Sequence, residues 1–287
     1  MNTKHFLAMA AVLSALLLLS FAAPKPKEVL ELKTIDNSMA KVNDKLYACK
    51  YEVTNFLYRT FENDLKLNKR TDDLKTACVD TLNWRDNKCY NEPYVEYYYR
   101  HVAYDNYPVV NISYDAATLF CKWLTEKYNS NPKRKFKKVI FRLPNEKEWE
   151  FAAAGGENNY FPYPWGGPYM QNKKGEFLCN CIHIGDQCVV RDSVTGNPIL
   201  SFGDAMGIAG SLNDAADITA PVKAYWPNKF DIYNMAGNVA EMVAEKGRVK
   251  GGSWRSFGGD VNIKAVAYYK KSASTIGFRY FMEVVEK

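Results

Sequence analysis

The stretch Phe230 to Trp254, FDIYNMAGNVAEMVAEKGRVKGGSW, crowds oxygen ligands, turn glycines and aromatic anchors so closely that one rigid loop-and-turn framework must hold them. Asn234, Gly237, Val239 and Glu241 follow at spacings of three, two and two. A side-chain amide oxygen, two main-chain carbonyls and a carboxylate can then converge on one hard cation, and calcium is the ion such donors suit. A second reading of the same residues is purely local: Asn238 caps a helix and Glu241, three residues on, closes a capping box.

Outward from this stretch the chain keeps recognisable local patterns. Lys45 to Arg59 reads as a strand entering a helix, with Tyr47, Tyr51 and Phe56 as candidate core. Phe61 to Tyr99 is polar, tyrosine-rich and without a clear period. Pro108 to Ile112 reads as a short apolar strand, after which Ser113 caps a helix whose Ala117, Phe120, Cys121 and Leu124 recur at helical spacing. Lys133 to Lys138 is a basic, solvated loop. Asn145 and Glu148 form a capping box, Trp149 and Ala152 face inward, and Gly155 and Gly156 stop the helix.

Tyr160 to Tyr169 is a proline and glycine turn lined by aromatics, either a rigid plug over the core or a ledge for sugar or peptide. Cys179, Cys181 and His183 alternate along an expected strand, with Cys188 beyond; the alternatives are a metal cluster or a disulfide plus a thiol. Gly196 to Ala216 is a glycine-rich surface insertion, and Thr219 to Val222 returns to a strand.

The 287 residues, 47% hydrophobic and with 20 Tyr, 15 Phe and 6 Trp, suffice for one large, aromatic-rich core. The net charge of +6 comes from interspersed lysines and acids, which argues for a solvated surface and against nucleic acid. Met1 to Ala22, with Lys4 ahead of an apolar run and small residues at Ser20 and Ala22, reads as a signal peptide; an uncleaved anchor helix is the competing reading. Residues 23–44 follow as a mobile leader, and nothing after the leader is apolar enough to span a membrane. An exported chain meets an oxidising compartment, where Cys78 and Cys89 make the most credible disulfide among the seven cysteines.

The run NMAGNVAEM, then GRVKGGSW and IGFRYFME, preceded by NISYDAATLFCKWL, FRLPNEKEWEFAAAGG and YPWGGPY, resembles the formylglycine-generating enzyme (sulfatase-modifying factor) family. The resemblance implies an α+β fold: a single irregular, loop-rich domain over 45–287, related to C-type lectin-like domains. It also implies a further calcium site, for which Asn180, Cys181, Asp214 and Ala216 occupy the matching places, the first and third as side chains.

The family's enzymes oxidise a substrate cysteine with molecular oxygen, using two thiolates that hold copper(I), a soft ion suited to sulfur. The positions that match those thiols hold Ser256 and Val261, no cysteine follows Cys188, and Ala240 stands where active members carry a tryptophan. With His101 and His183 the sole histidines beyond the leader, no histidine-rich iron site can be built in its place. The sequence therefore reads as a pseudoenzyme, most similar to the non-catalytic gliding-motility and type IX secretion branch, although it lacks that branch's lipobox cysteine. The expectation is an exported, calcium-stiffened scaffold of the periplasm or outer membrane, with envelope or secretion-machinery proteins as partners. Two alternatives stay open: a glycan- or peptide-binding module, and an oxidase whose Cys179, Cys181 and Cys188 converge near Ser256.

Overall fold

Two four-stranded sheets and two long helices carry the architecture, and the C-terminal strand ties the first sheet to the signature region. The computed structural model describes residues 30–85, 90–156, 161–182, 189–192, 194–196, 198–200 and 218–287. Helix α1 (Leu32–Asn37) leads into β1 (Met39–Lys41) and β2 (Leu46–Cys49). Helices α2 (Asn55–Leu67), α3 (Thr71–Thr76), α4 (Glu92–Tyr97) and α5 (Tyr114–Ser130) precede β3 (Lys138–Arg142) and α6 (Glu146–Ala154). A hairpin of β4 (Val189–Arg191) and β5 (Pro198–Leu200) follows, then β6 (Ala240–Met242), β7 (Arg248–Lys250), β8 (Ala267–Tyr268), β9 (Ile276–Gly277) and β10 (Phe281–Glu286).

The first sheet runs β1-β2-β10-β3 with every pairing antiparallel. The second runs β8-β7-β6-β9, and its β6 and β9 are parallel. Neither sheet closes into a barrel, so the fold is the mixed α and β, loop-rich class that the sequence implies.

Helix caps set which faces turn inward. The Thr54 side chain accepts from Leu57 N at the start of α2, and that register buries Tyr58, Phe61 and Leu65 while leaving Phe56 38% exposed. The expected core set of Tyr47, Tyr51 and Phe56 is thus corrected: the first two are half-buried and Phe56 faces out. Ser113 caps α5 through Ala116 N, as its position predicts, and buries Ala117, Phe120, Cys121 and Leu124. Burial pushes the Cys121 thiol far above its ordinary range, so it acts as a small hydrophobe. Around Phe120 lie the rings of Tyr58, Phe61, Trp123, Phe278 and Tyr280, at centroid distances of 5.3 to 6.0 Å.

Asn145 accepts from Glu148 N and Glu148 from Asn145 N, completing the capping box on α6. The Glu148 carboxylate also receives both Nη groups of Arg142, each at 2.7 Å, which locks helix to strand. Gly155 ends the helix in the left-handed region at φ 67°.

Several expected elements differ. Residues 32–41 belong to the fold rather than to a mobile leader, because α1 buries Ile35 and β1 pairs with β2. Pro108 to Ile112 is buried but not a strand: Pro108 makes one bridge to Thr54, and Asn111 turns to φ 63°. Thr219 to Val222 is likewise irregular chain. Cys179 to Ile182 is bent, with one parallel bridge from Ile182 to Phe257. His183, Cys188 and Cys89 lie outside the described residues, as do Tyr160 and residues 197 and 201–216 of the insertion.

We expect Asn145→Ala to destabilise the chain by about 1 kcal/mol, read from the urea midpoint, with Asn145→Asp close to wild type.

Candidate functional site

The signature folds as a tight turn running into β6, not as a helix, so the helix-cap reading of Asn238 and Glu241 is overturned. Asn234, Gly237 and Asn238 all adopt positive φ, at 53°, 73° and 64°. Gly237 is required: a Cβ there would stand 2.3 Å from the Asn180 carbonyl oxygen. That oxygen accepts from Asn238 N at 2.8 Å, and Gly237 N donates to Gly251 O at 2.8 Å. The structure thereby brings Asn180 of one predicted calcium set against Gly237 of the other.

Beneath the turn lies a buried charge cluster. Glu241, 1% exposed, accepts from Arg279 Nε at 3.0 and 2.9 Å, from Arg279 Nη2 at 2.6 Å and from Trp149 Nε1 at 2.7 Å. Arg279 is fully buried and also donates to Cys49 O and Tyr233 O, both at 2.8 Å. The Glu241 carboxylate, with about four acceptor sites in all, is committed to these partners. Lys250, also buried, pairs with Glu150 at 2.8 Å and lies over the Trp149 ring at 5.7 Å.

A second buried carboxylate, Glu52, sits beside the first, and the sequence reading missed it. Its Oε1 accepts from Asn238 Nδ2 at 2.7 Å and its Oε2 from Asn234 Nδ2 at 3.3 Å. Asn238 Oδ1 in turn accepts from Ala220 N at 2.7 Å and from Asn180 Nδ2 at 3.3 Å. Burial pushes the Glu52 carboxyl up to about 7, with Arg279 pulling it down and Glu241 pushing it further up. Arg279 faces both carboxylates, so with both ionised the trio carries one surplus negative charge. The available signal was a glutamate inside the otherwise half-apolar run Tyr51 to Val53, which the strand-to-helix reading passed over.

Of the eight predicted ligand residues, Asn180, Cys181, Asn234, Gly237, Val239 and Glu241 are buried around this turn. Asp214 and Ala216 lie outside the described residues. No group of three or more His, Cys, Asp and Glu side chains converges as a metal cluster among the described residues.

The flanking wall is built by Ser253 to Val261. Ser256 Oγ accepts from Ser253 N at 3.0 Å and lies 3.3 Å from Ser253 Oγ. Val261 is fully buried, and a Cβ on Gly252 would meet its Cγ1 at 2.7 Å. The tyrosine-rich segment covers this wall: Trp84 and Tyr98 cluster with Val239, and Trp84 stacks on Trp254 at 6.2 Å.

A model of the sulfatase-modifying factor enzyme 1-like domain matches residues 36–284. The chain belongs to this family. The formylglycine-generating enzyme of Thermomonospora curvata is 32% identical to this sulfatase-modifying factor domain over 140 residues, 49% of this chain and 34% of that protein. The "Inactive C-alpha-formylglycine-generating enzyme 2" of Bos taurus is 28% identical over 145 residues, 49% and 33% respectively. The matched part thus spans about a third of these relatives' length. PvdO from Pseudomonas aeruginosa shares the fold, with a TM-score of 0.50, 18% identity, and coverage of 83% of this chain and 80% of that chain. A copper(I) centre of the family's type does not fit the matching positions here, since the Ser256 hydroxyl is a hard donor turned to Ser253 and Val261 offers no donor at all.

Arg279→Met should cost about 3–5 kcal/mol by stranding Glu241, whereas adding Glu241→Leu should recover much of that loss. Urea unfolding of the two single variants and the double variant checks the coupling.

Proposed function

We propose that this sulfatase-modifying factor domain is an exported, non-catalytic member of its family that acts as a calcium-stabilised scaffold or interaction protein of the cell envelope. The observation that carries the reading is the wall at Ser256 and Val261, where a hydrogen-bonded hydroxyl and a packed isopropyl group stand in an otherwise intact framework. Family relatives named as inactive make a non-catalytic member unexceptional. The resemblance to the gliding-motility and type IX secretion branch suggests that machinery as the setting, with envelope or secretion proteins as partners. Among the described residues no helix is long and apolar enough to cross a membrane.

Calcium is supported by the donor chemistry at the turn. Gly237 and Val239 would supply carbonyl oxygens, Asn234 an amide, and the Glu52 and Glu241 pair, once Glu52 is ionised, one negative charge beyond what Arg279 neutralises. Because Glu241 is committed to Arg279 and Trp149, Glu52 is the carboxylate we add to the predicted set.

Two measurements test the proposal. Purified protein, supplied with copper(I), oxygen and a sulfatase-type cysteine peptide, should yield no aldehyde product above the metal-free control; turnover would overturn the non-catalytic reading, and crosslinking in the native host should report envelope partners. Calcium at a hundredfold excess over its dissociation constant should stabilise the wild type by about 2.7 kcal/mol relative to chelator. Glu52→Gln should abolish that response, and identical wild-type melts in chelator and in calcium would eliminate the site.

A further inference from the structure

One end of the first sheet gathers a single sign of charge. The turn at residues 42–45 joins β1 to β2, and antiparallel pairing brings the last residues of β10 and the first of β3 to that same end, with Glu286 opposite Lys138. The loop from α5 into β3 completes it: Phe136 packs on Tyr47 of β2 at 5.4 Å, and Lys135 N donates to the Tyr128 hydroxyl at 3.3 Å. Asp44 and Glu286 pair with Lys41 and Lys137, at 2.9 and 2.7 Å. Lys45, Lys133, Lys135 and Lys138 are exposed and have no acidic partner among the described residues. Arg134 donates to Lys137 O and Asn131 O, so its charge too is left uncompensated. Even against Asp36, which accepts from the Tyr128 hydroxyl at 2.8 Å, this end of the sheet holds a large share of the chain's net charge of +6. Two aliphatic side chains stand beside the lysines. Lys138 and Ile140 alternate onto one exposed side of β3, where Ile140 is 42% exposed, and Val285, at the bulge between Val284 and Glu286, is 46% exposed.

We propose that this end of the first sheet is a docking surface for an anionic lipid bilayer, with the lysines against the headgroups and Ile140 and Val285 at the apolar boundary beneath them. Lysine ammonium groups are hydrated point charges on flexible stems, which suits a diffuse field of lipid phosphates better than one fixed phosphate. Each such residue at an anionic leaflet raises partitioning about fivefold, and exposed aliphatic side chains add to it. Nucleic acid is a poorer fit. Arg134 is tied to loop carbonyls and Phe136 is packed on Tyr47, so neither a bidentate base contact nor ring stacking is on offer. A second copy of the chain is a worse partner still, since it would bring lysine against lysine. The inference does not rest on the scaffold reading: neither calcium nor a protein partner enters it.

The test is co-sedimentation of the full chain, in chelator, with vesicles of phosphatidylcholine containing about a quarter phosphatidylglycerol, against vesicles of phosphatidylcholine alone. Binding is expected on the anionic vesicles and not on the neutral ones, and should fall about tenfold or more between about 0.05 M and about 0.5 M salt. Lys133→Gln, Lys135→Gln and Lys138→Gln combined should weaken it about a hundredfold. The same change at Lys173, Lys270 and Lys271, exposed lysines of other loops, removes equal net charge and should leave binding within about twofold. Circular dichroism establishes that the variants are folded; should they not fold, the salt and lipid dependence of the wild type decides. No binding, equal binding to neutral vesicles, indifference to salt, equal losses in the two triple variants, or capture of duplex DNA or an acidic protein in place of vesicles would each overturn the proposal.

Discussion

The buried pair of Glu241 and Arg279 is the constraint on which the rest of this fold depends. Two charges at 0% and 1% side-chain exposure, 2.6 Å apart, are tolerable only if every remaining donor and acceptor is met inside the protein. That demand fixes the positions of Trp149 on α6, of Cys49 O at the end of β2 and of Tyr233 O just before the turn. Elements from three distant parts of the chain are therefore held to one point by hydrogen bonds that cannot be exchanged for water. The parallel pairing of β6 with β9 keeps Glu241 opposite Gly277, two residues before Arg279, so sheet register and ion pair specify each other.

Much of this was legible in sequence wherever a local rule governs. Ser113, Asn145 and Gly155 begin and end their helices through bonds within four residues, and the sequence states them directly. The signature block likewise announced a turn-rich framework. What sequence could not state was partnership across long distances. Glu241 reads as a metal ligand or cap until Arg279 is seen beside it, and Glu52 reads as an ordinary strand-end acid until Asn238 reaches it. The short strands fail for a related reason: Pro108 to Ile112 and Thr219, Ala220 and Val222 are buried, yet their backbone groups bond irregular neighbours. Apolarity marked depth correctly and geometry wrongly.

Around the charge cluster the chain separates hard from soft chemistry over a few residues. Asn180 turns its amide toward Asn238 and the carboxylates, while the flanking Cys179 and Cys181 lie in the apolar compartment against Val261. The backbone at Asn180 is pinned by Asn238 N, so neither side can rotate into the other. Oxygen donors and sulfur donors are thus sorted onto opposite sides of one short segment.

The long reach of these contacts also governs how the protein is made. Glu52 binds a partner 186 residues later, Cys49 O one 230 residues later, and the strand at the centre of the first sheet is the last in the chain. During synthesis from the N-terminus, β2 has no neighbour on its inner side and Glu241 has no counter-ion until Arg279 has emerged. Such high contact order delays closure of the core until Arg279 and β10 have emerged.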